Sequence, residues 1–217
     1  MQNVKLSSQE AVDILREGNA RYVSGNEQRP NQDRQRRSVT ASLGQQPFAA
    51  VLACSDSRVP VEILFDRGIG DIFVVRVAGN VAGGTEMGSI EYAVEHLGIS
   101  LIVVLGHTRC GALTAVVKGE EVSGNMNALV ELIAPAVARA KADYPGATGD
   151  LLVYEAVRAN VWIAAEKFFK SSAIIRREVK SGGLAVIGAV YDLESGQVDW
   201  MGVHPAEQQL LYMSGLK

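Results

Sequence analysis

The sequence predicts an α/β fold: a mostly parallel central sheet flanked by helices, with an N-terminal helical arm and a C-terminal edge hairpin. Three observations carry this reading. Apolar runs occur at Phe48–Cys54, Asp71–Val77, Leu101–Gly106 and Leu184–Tyr191, mostly dominated by Val and Ile and without polar alternation. Such runs suit strands covered on both faces. Helical patterns separate them, and a β-α-β-α-β order implies parallel strands joined by right-handed crossovers. A late pair of runs, Leu184–Asp192 and Val198–Val203, flanks Glu194-Ser195-Gly196 as a hairpin on the sheet edge would. A chain of 217 residues suits a single domain over 1–217, divided into an arm at 1–45 and an α/β core at 46–217.

In chain order, the first element is a helix from about Ser8 to Ser24. Ser7 and Glu10 have capping-box spacing, and Ala11, Ile14, Leu15, Gly18 and Tyr22 line one face. Asn26–Arg37 follows, rich in Arg, Gln and Asn with a single Pro30, and leads into a short helix ending near Leu43. A helix tethered by such an arm can pack on its own core or cross to a partner subunit, and sequence does not choose. The later helical patterns are Thr85–Leu97, Gly111–Val117, Asn127–Ala142 and Leu151–Phe169.

Composition narrows the function classes. Hydrophobic residues make up 47% and charged residues 21%, ordinary for a globular protein, and the formal charge of −3 offers nothing to nucleic acid or a membrane surface. No apolar stretch is long enough to span a bilayer. Met1-Gln2-Asn3-Val4-Lys5 lacks the charged and apolar regions of a secretory signal, so a cytoplasmic location is expected. In that setting the two cysteines read as free thiols or metal ligands rather than a disulfide.

Active sites of such sheets gather at the carboxyl ends of the strands, and two strand ends here carry chemically loaded residues. Cys54-Ser55-Asp56-Ser57-Arg58 follows the first run, and Gly106-His107-Thr108-Arg109-Cys110-Gly111 follows the third. Alternate residues of an extended loop face one side, so Cys54, Asp56 and Arg58 can converge. If the two strands are neighbours, Cys54, Asp56, His107 and Cys110 make a thiolate, carboxylate, imidazole and thiolate set suited to Zn²⁺. The competing reading makes both cysteines small buried hydrophobes. Both cysteines and one of three histidines falling at strand ends favours the metal. Gly79-Asn80-Val81-Ala82-Gly83-Gly84 does not match G-x-G-x-x-G at the first strand-to-helix turn, and no Walker A pattern exists, which sets nucleotide binding aside.

Charge says something about mechanism. Zinc with two thiolates, an imidazole and a carboxylate carries net negative charge and has no open position. If Asp56 leaves, water takes its place on a neutral centre and its pKa moves toward roughly 7. Arg58, permanently charged, can hold both oxygens of the released carboxylate in a fork.

The two segments at 54–58 and 106–111 resemble the paired signature motifs of the β-class carbonic anhydrases. The similarity runs from the N-terminal helix to the final hairpin and includes Glu91-Tyr92-Ala93-Val94-Glu95-His96-Leu97. It implies zinc-dependent, reversible hydration of CO₂ to bicarbonate and a proton through a zinc-bound hydroxide. Cys54, His107 and Cys110 would be the fixed zinc ligands, Asp56 the exchangeable one, and Asp56 and Arg58 the catalytic dyad. Gln45, Phe73, Tyr92 and Gly111 match substrate-pocket positions. The resemblance also implies a homodimer or tetramer, with the N-terminal helix embracing a partner and the site at the subunit seam. Some bacterial members carry a tryptophan three residues before the first cysteine ligand, linked to a non-catalytic bicarbonate site. Val51 stands there, although Arg76 and Tyr191 match other members of that site, so an always-open form with Asp56 on Arg58 is expected. Two rivals remain: carbonyl sulfide or carbon disulfide hydrolysis on the same fold, and a non-catalytic zinc- or thiol-sensing protein with a closed four-ligand site. His96 reads as a structural hydrogen-bonding residue, and His204 carries no functional signal.

Overall fold

A computed structural model describes residues 6–213, so the reading of Met1–Lys5 as lacking a secretory signal lies outside the described residues. The elements run α1 (Ser8–Ser24), α2 (Arg34–Leu43), β1 (Ala49–Ala53), α3 (Val61–Leu64), β2 (Ile72–Arg76), α4 (Gly84–His96) and β3 (Leu101–His107). There follow α5 (Gly111–Lys118), α6 (Met126–Asp143), α7 (Gly149–Ser171), α8 (Ala173–Lys180), β4 (Ala185–Tyr191), β5 (Val198–Val203) and α9 (Glu207–Tyr212). All five expected strands form, within a residue or two of their expected ends. The short helices α3, α8 and α9 were not expected.

The sheet has the order β2-β1-β3-β4-β5, parallel throughout except for the edge strand β5. A bulge interrupts the last pair: Gly188 faces Gly202 but Ala189 faces Trp200, leaving Met201 as the extra residue. β1 and β3 are buried along their whole lengths. Their side chains alternate between two cores, as strand geometry requires. Ala50, Leu52, Cys54, Ile102 and Val104 face one core with α4, α6 and α7. Ala49, Val51, Ala53, Val103 and Leu105 face the other, with Ala11 and Leu15 of α1 and Val61 and Leu64 of α3. The buried face of the first helix therefore packs on the core of its own chain. Among the described residues, no helix is long and apolar enough to cross a membrane.

Ser7 and Glu10 form the expected capping box at the start of α1. Buried Asn19 then ties the helix down: Nδ2 donates to the carbonyls of Leu64 (3.1 Å) and Gly196 (2.9 Å), and Oδ1 accepts from the Val198 N–H (3.0 Å). The polar arm is anchored by Asp66, whose carboxylate accepts from Arg21 Nε (2.6 Å) and from the amides of Gln28 (3.0 Å) and Arg29 (2.8 Å). α2 buries none of its residues and leaves Val39 and Leu43 exposed. α7 lies flat against the sheet because β3 has a glycine beneath it. A Cβ on Gly106 would sit 2.8 Å from Val161 and 2.9 Å from Val157.

Burial pushes the Asp66 pKa up, but the hydrogen bonds from Arg21 and the two amides outweigh it and hold the group below its ordinary value. A depressed carboxylate contributes stability that is present above its unfolded pKa of about 3.9 and lost as pH falls through the folded value. The arm should therefore loosen on acidification below about pH 4, seen as loss of hydrogen-exchange protection at the Gln28 and Arg29 amides. In Asp66→Asn that protection should already be reduced at neutral pH; equal protection in wild type and variant would show that Asp66 is not the anchor.

Candidate metal centre

Parallel pairing of β1 with β3 puts Ala53 opposite Leu105, so the two loops leave the sheet side by side. Between His107 and Cys110 the chain turns through Arg109, held in the left-handed region at φ 54°. Cys110 then caps α5. The result brings Cys54, His107 and Cys110 together, all buried, with their donor atoms within 4.8 Å of one another.

The hydrogen bonds around these donors prepare them. His107 Nδ1 lies 2.9 Å from the Thr108 carbonyl. A carbonyl only accepts, so the ring proton sits on Nδ1 and leaves the Nε2 lone pair free. Nε2 is buried and has no hydrogen-bond partner among the described residues. Such an orphaned atom costs free energy unless something binds it. Cys54 Sγ accepts from the amides of Asp56 (3.4 Å) and Gly79 (3.3 Å). A hydrogen bond from Cys110 is the main cause lowering the Cys54 pKa, and the same bond, with burial, pushes Cys110 up. Two soft sulfurs and one imidazole nitrogen, buried and converging, fit zinc with a fourth position to spare.

Asp56 stands apart from that trio. Its Oδ1 accepts from the Arg58 backbone N–H and Nε, both 3.0 Å, and its Oδ2 from Arg58 Nη2 at 2.8 Å. Oδ2 is also 3.9 Å from His107 Nε2, so this oxygen lies on the metal-site side. Arg58's side-chain hydrogen bonds, opposed by some burial and aided by its amide, hold the Asp56 carboxyl well below the usual carboxylate range.

The other expected residues lie as follows. Phe73 and Tyr92 meet as a tilted ring pair, 6.2 Å between centroids. Gln45 is exposed in the loop between α2 and β1. Gly111 opens α5, and a Cβ there would meet nothing within 4 Å, so the chain's own packing does not demand glycine. His96 is not the hydrogen-bonding residue expected: it is exposed, and its contact is with the Tyr92 ring at 5.1 Å. His204 is buried, edge-on to Trp162 and 3.3 Å from Glu166, and so joins the end of β5 to α7.

Two residues that sequence reasoning did not place in the site hold its loops. Arg76 donates from Nε to the Cys54 carbonyl (3.0 Å) and from Nη2 to the Asp56 carbonyl (2.6 Å). Asn160 reaches from α7 to the Gly79 carbonyl. A lone amide between Val157 and Val161, in a helix whose inner face is otherwise apolar, was the available signal.

A family model described as carbonic anhydrase matches residues 49–198. Carbonic anhydrase 2 of Mycobacterium tuberculosis is 41% identical over 187 residues, covering 84% of this chain and 87% of the relative. The β-carbonic anhydrase CafA of Aspergillus fumigatus superposes with a TM-score of 0.73 at 26% identity, over 82% of this chain and 88% of that one. A structure from a study of two tetrameric β-carbonic anhydrases of Sordaria macrospora gives 0.70 at 25% identity, over 78% and 87%.

If Arg58 is what depresses the Asp56 pKa, Arg58→Ala should move the Asp56 titration to higher pH, followed by carboxyl ¹³C NMR. An unchanged midpoint would leave the backbone amide of residue 58 as the controlling group.

Proposed function

The chain belongs to the β-carbonic anhydrase family, an enzyme family of lyases, and on that premise we propose that it interconverts carbon dioxide and bicarbonate at a zinc held by Cys54, His107 and Cys110. One observation carries the reading. Three buried donors converge while Asp56, the carboxylate beside them, is drawn onto Arg58 in a two-toothed fork. That arrangement supports a site with a usable fourth position. When bound, zinc supplies the Lewis acid that makes water a nucleophile near neutral pH.

The protein's own groups do the rest. Asp56 stays ionised through Arg58 and presents Oδ2 toward the site, where it accepts a hydrogen bond from the attacking water and orients it. Arg58 keeps Asp56 away from the ligand position. In a closed alternative Asp56 would move from Arg58 to that position and shut the site, so the pair acts as a gate. Val51, an aliphatic residue with neither an indole N–H nor the bulk of tryptophan, supports the open arrangement. Gln45, Phe73, Tyr92 and Gly111 are the proposed substrate contacts, Gln45 for a substrate oxygen and the Phe73 and Tyr92 rings as an apolar wall suiting uncharged CO₂. A non-catalytic zinc- or thiol-sensing role would need Asp56 as a fourth ligand, and the fork speaks against it.

We place the working enzyme in a homo-oligomer, a dimer or tetramer completing the site at its seam. The bare apolar residues of α2 and the tetrameric Sordaria relatives support this. Two unpaired cysteines suit a reducing compartment such as the cytoplasm.

Stopped-flow CO₂ hydration on protein of measured zinc content is the test. Turnover should rise with pH and vanish when a chelator strips the metal. Asp56→Ala and Arg58→Ala should each lower turnover about 100-fold while zinc stays bound. Wild-type turnover in both variants would reject the dyad, and hydrolysis of carbonyl sulfide without CO₂ hydration would move the reading to the rival substrate.

A further inference from the structure

We propose that Asn160 is a positioning residue for the metal centre, holding the Gly79 carbonyl so that the Gly79 N–H stays on the sulfur of Cys54. The inference rests on the reading of Cys54 as a metal ligand.

Asn160 lies midway along α7 and is 2% exposed. Its helical neighbours toward the sheet are Ala156, Val157, Val161 and Ala164, all apolar. A buried amide in such surroundings is costly unless it is hydrogen-bonded. Its Nδ2 donates to the Gly79 carbonyl at 2.7 Å. On the other side of the same residue, the Gly79 N–H donates to Cys54 Sγ at 3.3 Å. Gly79 is thus clamped between a helix and a candidate ligand.

The clamp has a physical reason. Gly79 adopts φ 72°, and a Cβ there would fall 2.8 Å from Ile133 Cδ1. Glycine suits this left-handed turn, yet glycine is the residue least able to hold its own conformation. The turn has one backbone bond of its own across this residue, from the Asn80 N–H to the Val77 carbonyl at 3.0 Å, and that bond does not engage the Gly79 carbonyl. Asn160 holds that carbonyl from a rigid base. Val157 and Val161, which flank it on α7, pack against Gly106 just before His107. One helix therefore supports both halves of the site. An N–H bonded to a thiolate draws electron density from sulfur, and such outer contacts set both the orientation and the donor strength of a ligand.

The test uses full-length protein loaded with ¹¹³Cd, and separately with Co²⁺. In the wild type, a scalar coupling between ¹¹³Cd and the Gly79 amide proton is expected, passing through the N–H···S contact. In Asn160→Leu, of similar size but without a donor, that coupling should disappear. The sulfur-to-cobalt charge-transfer band should move to lower energy, and metal affinity by chelator competition should fall about tenfold or more. A variant that loses only thermal stability, with coupling and band unchanged, would make Asn160 a structural pin and overturn the proposal. Should the variant fail to fold, the wild type still decides. Coupling from ¹¹³Cd to the Cys54 Hβ protons but none to the Gly79 amide overturns it. Protein that takes up neither metal overturns the metal reading itself, and this inference with it.

Discussion

The parallel pairing of β1 with β3 is the constraint on which everything else rests. Cys54 follows β1 and His107 ends β3, strands with α3, β2 and α4 between them in sequence, and only this register brings their ends level. Side-chain direction alternates along a strand, so a one-residue slip would turn Cys54 from the core of α4 and α7 toward that of α1. Complete burial of both strands on both faces forbids such a slip. The hydrophobic effect thus acts indirectly on the chemistry, by fixing where the donors emerge.

At those strand ends, the problem is holding charge in a buried place. The loops answer with a division of labour between two arginines. Arg58 takes the Asp56 side chain, and Arg76 takes the backbone carbonyls of Cys54 and Asp56. The first governs where a carboxylate can go. The second fixes the path of the loop that carries it. Thr108 adds a third tie: its hydroxyl accepts from Leu193 N–H and donates to Asp192, joining the His107 loop to the hairpin turn.

Strands and long helices were legible in the sequence because each signal is local: unbroken apolar runs, a capping box, apolar spacing of a helix. The three candidate metal donors were legible because two short motifs stand at strand ends. What escaped depends on contacts between distant residues or on very short elements. α3 is one turn after Pro60. α8 hid because Ser172 both ends α7 and, by accepting from the Ile175 amide, caps the next helix, with no glycine or proline between. The bulge in β5 sits beside Gly202, whose φ of 77° lies in the left-handed region, across from Gly188. Arg76 matched a position of the bicarbonate site that Val51 led us to expect absent, and its hold on the loop carbonyls is a contact between distant residues.

Asn19 has a meaning beyond its three hydrogen bonds. It joins the first helix to Gly196 and Val198, separated from it by 177 and 179 residues. Loop-closure entropy grows only slowly with length, so so long a closure is thermodynamically tolerable. Kinetically it is different, since non-local contacts must await the segments they join. A chain emerging from the ribosome can form α1 early, but its docking stays incomplete until the final hairpin has been synthesised. The bonds that seal the first helix onto the fold can therefore form only once the last two strands exist.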